Sequence, residues 1–207
     1  MRKNGDGERV LVSYRTLRRV VGALGVLLPV ACLGYGLFTD LQDSISDYYG
    51  TGMRNVFVGV LFTIGWFLFA YRGYERQDDV AGDLACVCAL GVALAPTTSA
   101  NQTIRALHFV SAAALFLVLA YFSLSLFTKT AKKVPPTGRK QSRNRIYRMC
   151  GAIMLACIAL VGLYHGFFQH SAVAAIKPVF WLESLALWAF GWSWFVKGET
   201  LWRDGEE

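Results

Sequence analysis

Apolar residues in this chain come in six blocks separated by short polar stretches. The blocks fall at residues 19–38, 56–71, 80–95, 106–127, 149–168 and 178–196. A run of about 18 or more apolar residues reads as a membrane helix, because ~20 residues at 1.5 Å each cross a ~30 Å hydrocarbon core. The pattern therefore predicts an all-α fold, a polytopic transmembrane bundle of six helices in one domain spanning residues 1–207. No stretch is left over for a separate soluble domain.

The blocks differ in character. The first is too long for a signal-peptide core and lacks a good cleavage site, so it reads as a retained helix. Val30, Ala31 and Cys32 faintly resemble a lipoprotein cleavage box, but Pro29 stands where leucine is expected and the apolar run continues past it. The third block is short and carries Asp83. Its Ala81, Ala85 and Ala89 form a stripe of small residues that permits close helix approach in lipid. Pro96 ends that block, and Pro178 suits the first turn of the sixth. Residues 129–145, with Pro135, Pro136 and Gly138, read as a basic, mobile linker.

Charge adds an orientation. Eighteen of the 21 Lys and Arg residues lie in the N-terminal segment, the second and fourth connections and the tail; only Arg54, Arg105 and Lys177 lie on the other side. By the positive-inside rule both termini and residues 129–145 are cytoplasmic, and an even number of spans follows. The tryptophans at 181, 188, 192 and 194, with Tyr71, fit in part as interfacial anchors. The net charge of +7 then marks topology and anionic lipid headgroups. It does not mark nucleic acid, since no basic surface interleaved with aromatics is available. The five cysteines all fall inside apolar runs, are odd in number and form no C-x-x-C, so they read as packing residues.

The unusual polar residues collect on the outward side. The first connection holds Asp47, Tyr48, Tyr49 and Arg54. His108 lies one turn into the fourth block, with Ser111 three residues on, hence on its face. His165 and His170 sit near the outer end of the fifth. Glu183 is five residues past Pro178, about 7–8 Å into the sixth helix. A carboxylate in a spanning helix is costly unless it faces the bundle interior and has a partner; Arg54 or His108 is the expected partner. Asp83, with Asp79, Arg72 and Arg76, reads as a salt-bridge group capping the third helix at the cytoplasmic side.

Several chemistries compete for this patch. Three imidazoles, or two and a carboxylate, would leave an open position on zinc, with His108, His165 and His170 as ligands. Against zinc, His165 and His170 are five residues apart, about 140° on a helix, where an i,i+4 pair is wanted. No metal or other cofactor is therefore expected. Ser111 beside His108 is no hydrolase signature without a nucleophile elbow.

The motifs around this patch resemble a known group. Ser44-Ile45-Ser46-Asp47-Tyr48-Tyr49, Met53-Arg54-Asn55-Val56-Phe57-Val58-Gly59, Leu107-His108-Phe109-Val110-Ser111-Ala112-Ala113, Arg143-Asn144-Arg145-Ile146-Tyr147-Arg148 and Trp181-Leu182-Glu183-Ser184 are similar to those of small six-span bacterial membrane proteins of an uncharacterised family. These are in turn distantly similar to Frag1/DRAM/Sfk1-type proteins. The resemblance implies the bacterial inner membrane and supplies no activity.

The leading expectation is an outward-facing polar pocket that binds a lipid headgroup or amphipathic small molecule in a binding, sensing or transport role. Arg54 would hold an anion, His108 and Glu183 would line the pocket, and Tyr48 and Tyr49 would cover it. A metal-dependent or acid/base lipid hydrolase is the alternative. A third reading is a non-catalytic assembly partner, with a homo-oligomer or another membrane protein bound through helix faces.

Overall fold

A computed structural model of the chain describes residues 3–73, 75–129 and 138–198, with side chains from residue 14 onward. The described residues form six α-helices: α1 (Lys3–Gly36), α2 (Arg54–Ala70), α3 (Arg76–Leu94), α4 (Gln102–Tyr121), α5 (Gly138–Leu163) and α6 (Pro178–Lys197). No strand occurs among the described residues. Four stretches are long and apolar enough to cross a membrane: Tyr14–Gly36, Gln102–Leu126, Gly138–Phe168 and Pro178–Lys197. Arg54–Ala70 is apolar but shorter. The chain is a helical, multi-pass membrane protein.

Each helix packs on its neighbours in sequence, and α6 returns to α1, so the bundle closes as a ring in chain order. Small residues let the ring close. A Cβ on Gly191 would meet the Gly22 carbonyl oxygen at 2.6 Å, and one on Gly22 would meet the Gly191 oxygen at 2.8 Å. Backbone therefore touches backbone where α1 meets α6, as small residues allow between helices in lipid. The alanine stripe of α3 is buried, with Ala85 and Ala89 inaccessible, and faces α2 through Gly65.

One end of the ring is shut by aromatic packing. Tyr71, Phe122 and Trp194 pack on one another and Phe127 packs on Phe122 and Trp194, ring to ring at 5.3–6.0 Å, and all four are buried. Trp194 and Tyr71 are thus core residues, whereas Trp181 and Trp192 remain exposed as interfacial anchors would be. Around this plug the Tyr14 hydroxyl bonds both the carbonyl and the amide of Arg72. The Arg19 side chain donates to the Gly198 carbonyl. The start of α3 carries a capping box in which the Glu75 and Asp78 side chains satisfy each other's backbone amides. Asp78, 3% exposed, is bridged to Lys129 at 2.8 Å. Asp83 pairs with Arg72 at 3.1 Å, but Glu75 and Asp78 form the cap, not Asp79 and Asp83.

Two helices start well before their apolar blocks, α1 at Lys3 and α5 at Gly138. The start of α5 falls inside the stretch expected as linker. Arg139, Lys140, Gln141, Arg143 and Arg145 are sound helix formers, and a helix leaving the apolar layer keeps its hydrogen bonds while its charges reach water. The expected proline-rich part of the linker lies outside the described residues. Helices α4 and α5 also loosen into single π turns, Phe122–Leu126 and Tyr164–Phe168.

Candidate functional site

At the other end of the ring three connections meet over α4, α5 and α6. The first folds on itself before it meets anything else. The Ser44 hydroxyl accepts from the Asp47 amide at 3.1 Å and starts a 3₁₀ turn over Ser46–Gly50. The Thr51 side chain donates to the Tyr48 carbonyl and accepts from the Met53 amide, which leads into α2. Tyr48 becomes the pin of this loop. It is fully buried, its ring 6.2 Å from those of Tyr35 and Phe180. Burial pushes its phenol pKa up, so it stays neutral.

The loop is then fastened to α6. Pro178 opens that helix and has no amide to satisfy, but the amides just after it do. The Phe180 amide donates to the Asp43 carbonyl at 2.9 Å. In return the Ile45 amide donates to Glu183 Oε2 at 2.7 Å, with the Ser46 amide beside it. Lys177 adds a third fastening: its ammonium donates to the Leu41 carbonyl and pairs with Asp43 at 3.3 Å. Lys177 alone among the described non-glycine residues has positive φ (54°), a conformation uncommon for a side chain of this kind.

The second connection joins in. Asp47 Oδ1 accepts from the Thr97 hydroxyl at 2.7 Å. The last carbonyls of a helix lack intrahelical partners, and Ala95, which closes α3 just ahead of Pro96, finds one in His108. The Nδ1 of His108 lies 2.6 Å from that oxygen, so Nδ1 carries the proton and Nε2 is left as an acceptor in the neutral ring. His108 itself is 2% exposed.

Below this roof lies a cavity of about 730 Å³. Its polar end is formed by Ser44, Ser46, Asp47, Thr97, His108 and Glu183. Its apolar walls come from Phe109, Ala112, Ala113 and Phe116 of α4 and from Cys157, Ile158 and Val161 of α5, with Leu182 and Ala186 of α6. Phe109 contacts the rings of both His108 (5.7 Å) and His165 (6.0 Å). The π turn of α5 carries Tyr164 and His165 to the cavity edge.

The structure sorts the expected site residues. Asp47, His108 and Glu183 share the cavity, and His165 stands at its rim. Tyr48 is beneath the loop in the core and Tyr49 is outside the lining, so neither covers the cavity. Arg54 does not turn inward. It is exposed, its guanidinium lies 4.3 Å over the Tyr49 ring, and it donates to the Tyr49 hydroxyl at 2.6 Å. Glu183 is therefore held by loop amides, not by Arg54 or His108. Ser111 is pressed against Gly91 of α3, away from the cavity. His170 is exposed in the turn beyond α5. Among the described residues no three His, Cys, Asp or Glu side chains are grouped as metal ligands would be. The cysteines are buried and unpaired.

Residue type alone gave no reason to single out Ser44, Ser46, Thr97, Lys177 or the apolar wall. The one available signal was the small pair Ala112-Ala113 on the helix face of Phe109 and Phe116, which leaves room opposite α5.

Comparison with known proteins returned no match: no family profile, no curated protein and no solved structure is significantly similar to the chain.

Proposed function

We propose that this chain is a six-span protein of the bacterial inner membrane, with both termini cytoplasmic, whose outward cavity binds a lipid or another amphipathic small molecule. The observation that carries this reading is the cavity itself, polar at the Asp47–His108–Glu183 end and apolar along α4 and α5. A pocket with apolar walls and a few convergent polar groups is what a ligand site looks like, and here the division into two regions matches a headgroup and a chain.

Six spans rest on the ring. Just past the end of α2, Arg72 meets Tyr14, where the apolar stretch of α1 begins. Helix α3 begins at the Asp78–Lys129 bridge, level with the end of α4, and ends at Ala95 against His108 near the start of α4. Both helices thus run between the same two ends as the four longer ones. The 18-to-3 division of basic residues then orients the bundle. Cysteine at Ser99 is expected to react with an impermeant thiol reagent in intact cells, and cysteine at Ser142 is not; the reverse pattern would sink the orientation.

The test of binding is native mass spectrometry of protein extracted in mild detergent. Wild type is expected to carry amphiphile adducts, and Ala112→Trp, which puts an indole into the cavity, is expected to lose them. Adducts that survive in the filled variant would remove the cavity as their site.

A further inference from the structure

The headgroup end of the cavity is unbalanced in both charge and hydrogen bonding, and the imbalance names a class of ligand. Three basic side chains lie at this end of the molecule; of these only Lys177 lines the cavity, and its charge is met by Asp43. Arg54 is outside, stacked on Tyr49. Arg105 donates to the carbonyls of Ser99 and Ala100 at 2.5 and 3.3 Å. Lys177 is held by Asp43 and the Leu41 carbonyl. Asp43 and Lys177 cancel one another. What remains facing the cavity is Asp47 and Glu183, and neither has an ion-pair partner among the described residues.

The hydrogen bonds lean the same way. Asp47 Oδ1 is occupied by Thr97 and the Glu183 carboxylate by the Ile45 and Ser46 amides, which leaves the second oxygen of Asp47 and the remaining lone pairs of Glu183. The Nδ1 of His108 is spent on Ala95, which leaves Nε2. Ionised carboxylates only accept, and so does the second nitrogen of a neutral imidazole. The unused capacity of the two carboxylates and of His108 is therefore acceptor, beside the hydroxyls of Ser44 and Ser46, which can donate or accept. A phosphate or sulfate would bring more acceptors and more negative charge to two carboxylates, in surroundings where poor screening makes like charges costly. A neutral polyol would supply donors but leave the carboxylate charge uncompensated. An ammonium supplies three donors and a positive charge at once.

We propose that the occupant of this cavity is an amphiphile whose headgroup is a protonated amine, bound with its nitrogen among Asp47, Glu183 and His108 and its chain between α4 and α5. This rests on the amphiphile-binding reading above and narrows it. The amine has two sources, a membrane lipid with an amino headgroup or a free amphiphilic amine.

The test uses three probes with one chain and three heads: dodecylamine, dodecanol and dodecyl phosphate. Each is offered at equal concentration to the purified full-length protein in nonionic detergent, and adducts are counted by native mass spectrometry. Dodecylamine is expected to exceed each of the others at least tenfold in wild type. Asp47→Asn should cut that preference severalfold. Glu183→Gln, which keeps an acceptor for the Ile45 amide, should do the same, so the test survives if one variant folds poorly. Equal uptake of all three probes by wild type, abolished by Ala112→Trp, would overturn the amine preference and leave the amphiphile cavity standing. Uptake indifferent to Ala112→Trp would overturn both. The source is read from protein as extracted. An amino lipid gives an adduct of fixed mass that dodecylamine displaces, whereas a free amine leaves empty protein that takes up dodecylamine directly.

Discussion

Glu183 offers the sharpest check on how the outer loop is held. Its Oε2 takes the amide of Ile45 at 2.7 Å, and Ile45 is 3% exposed. Glu183→Ala strands that amide away from water. A hydrogen bond to a charged group contributes about 1.5–3 kcal/mol net, and an orphaned buried donor costs about 1–3 kcal/mol. Relief of repulsion from Asp47 offsets part of this. A net loss of about 2 kcal/mol is expected, which for a chain of this size lowers Tm by roughly 4–8 °C. Glu183→Gln retains a carbonyl acceptor, so its loss should stay below about 1 kcal/mol. Thermal unfolding in a fixed detergent ranks the variants, and hydrogen exchange on residues 43–47 localises the effect, with protection lost in the alanine variant and kept in the glutamine one. Arg54→Gln enters as the second arm of a double-mutant cycle. Because Arg54 binds Tyr49 and not Glu183, the two losses should add to within about 0.5 kcal/mol. Coupling above about 1 kcal/mol, or a glutamine variant as damaged as the alanine one, would refute amide capture as the role of Glu183.

Other parts of the bundle give further outcomes. Gly191→Ala forces a Cβ onto the Gly22 carbonyl at 2.6 Å, and overpacking of this kind costs about 1–3 kcal/mol; Gly34→Ala, which meets nothing within 4 Å, should be neutral or mildly stabilising, and equal losses at the two sites would break the account of the α1–α6 contact. At the opposite end, hydrogen bonding to Asp78 raises the pKa of Lys129. A raised lysine contributes fully below its ordinary value near 10.5 and loses that contribution as pH climbs through the raised one. Thermal stability should therefore fall on the alkaline side of pH 10.5, and Lys129→Met should be less stable at neutral pH and lack that step. Lys177→Ala removes both ties to the first loop and should increase proteolysis within residues 40–46, with cleavage elsewhere unchanged.

How far the chain could be read in advance depended on the kind of partner each residue has. Helix positions were legible because apolar runs answer directly to the thickness of the hydrocarbon layer. The start of α5 was not, because residues 138–148 are too polar for the hydropathy pattern while their helix propensity is ordinary. At the outer end, the oddity of Glu183 and His108 was visible from residue type and depth. Their partners were not, since both are backbone groups, the Ile45 amide and the Ala95 carbonyl, and every residue in a sequence carries such groups. Pairing by side-chain type offered Glu183 either His108 or else Arg54, one of few cations on that side. Tyr49, five residues earlier, takes it instead through a ring face and a hydroxyl.

That misassignment bears on the chemistry of the site. With Arg54 in the cavity, the polar end would hold one cation against Asp47 and Glu183, and an anionic headgroup would fit. With Arg54 outside and Arg105 committed to carbonyls, the same carboxylates face a cavity whose one lining lysine, Lys177, is already paired with Asp43. Loop geometry brings this about: the 3₁₀ turn over Ser46–Gly50 turns Tyr48 down into the core and leaves Tyr49 on the outside, next to the first residue of α2. Gly52, between them, sits where a Cβ would lie 2.9 Å from the Tyr35 hydroxyl, so the turn is held close to α1 as it enters α2. A few residues of polar loop thus decide the sign of the charge that the cavity can take, while the helices below decide only its size and its apolar walls.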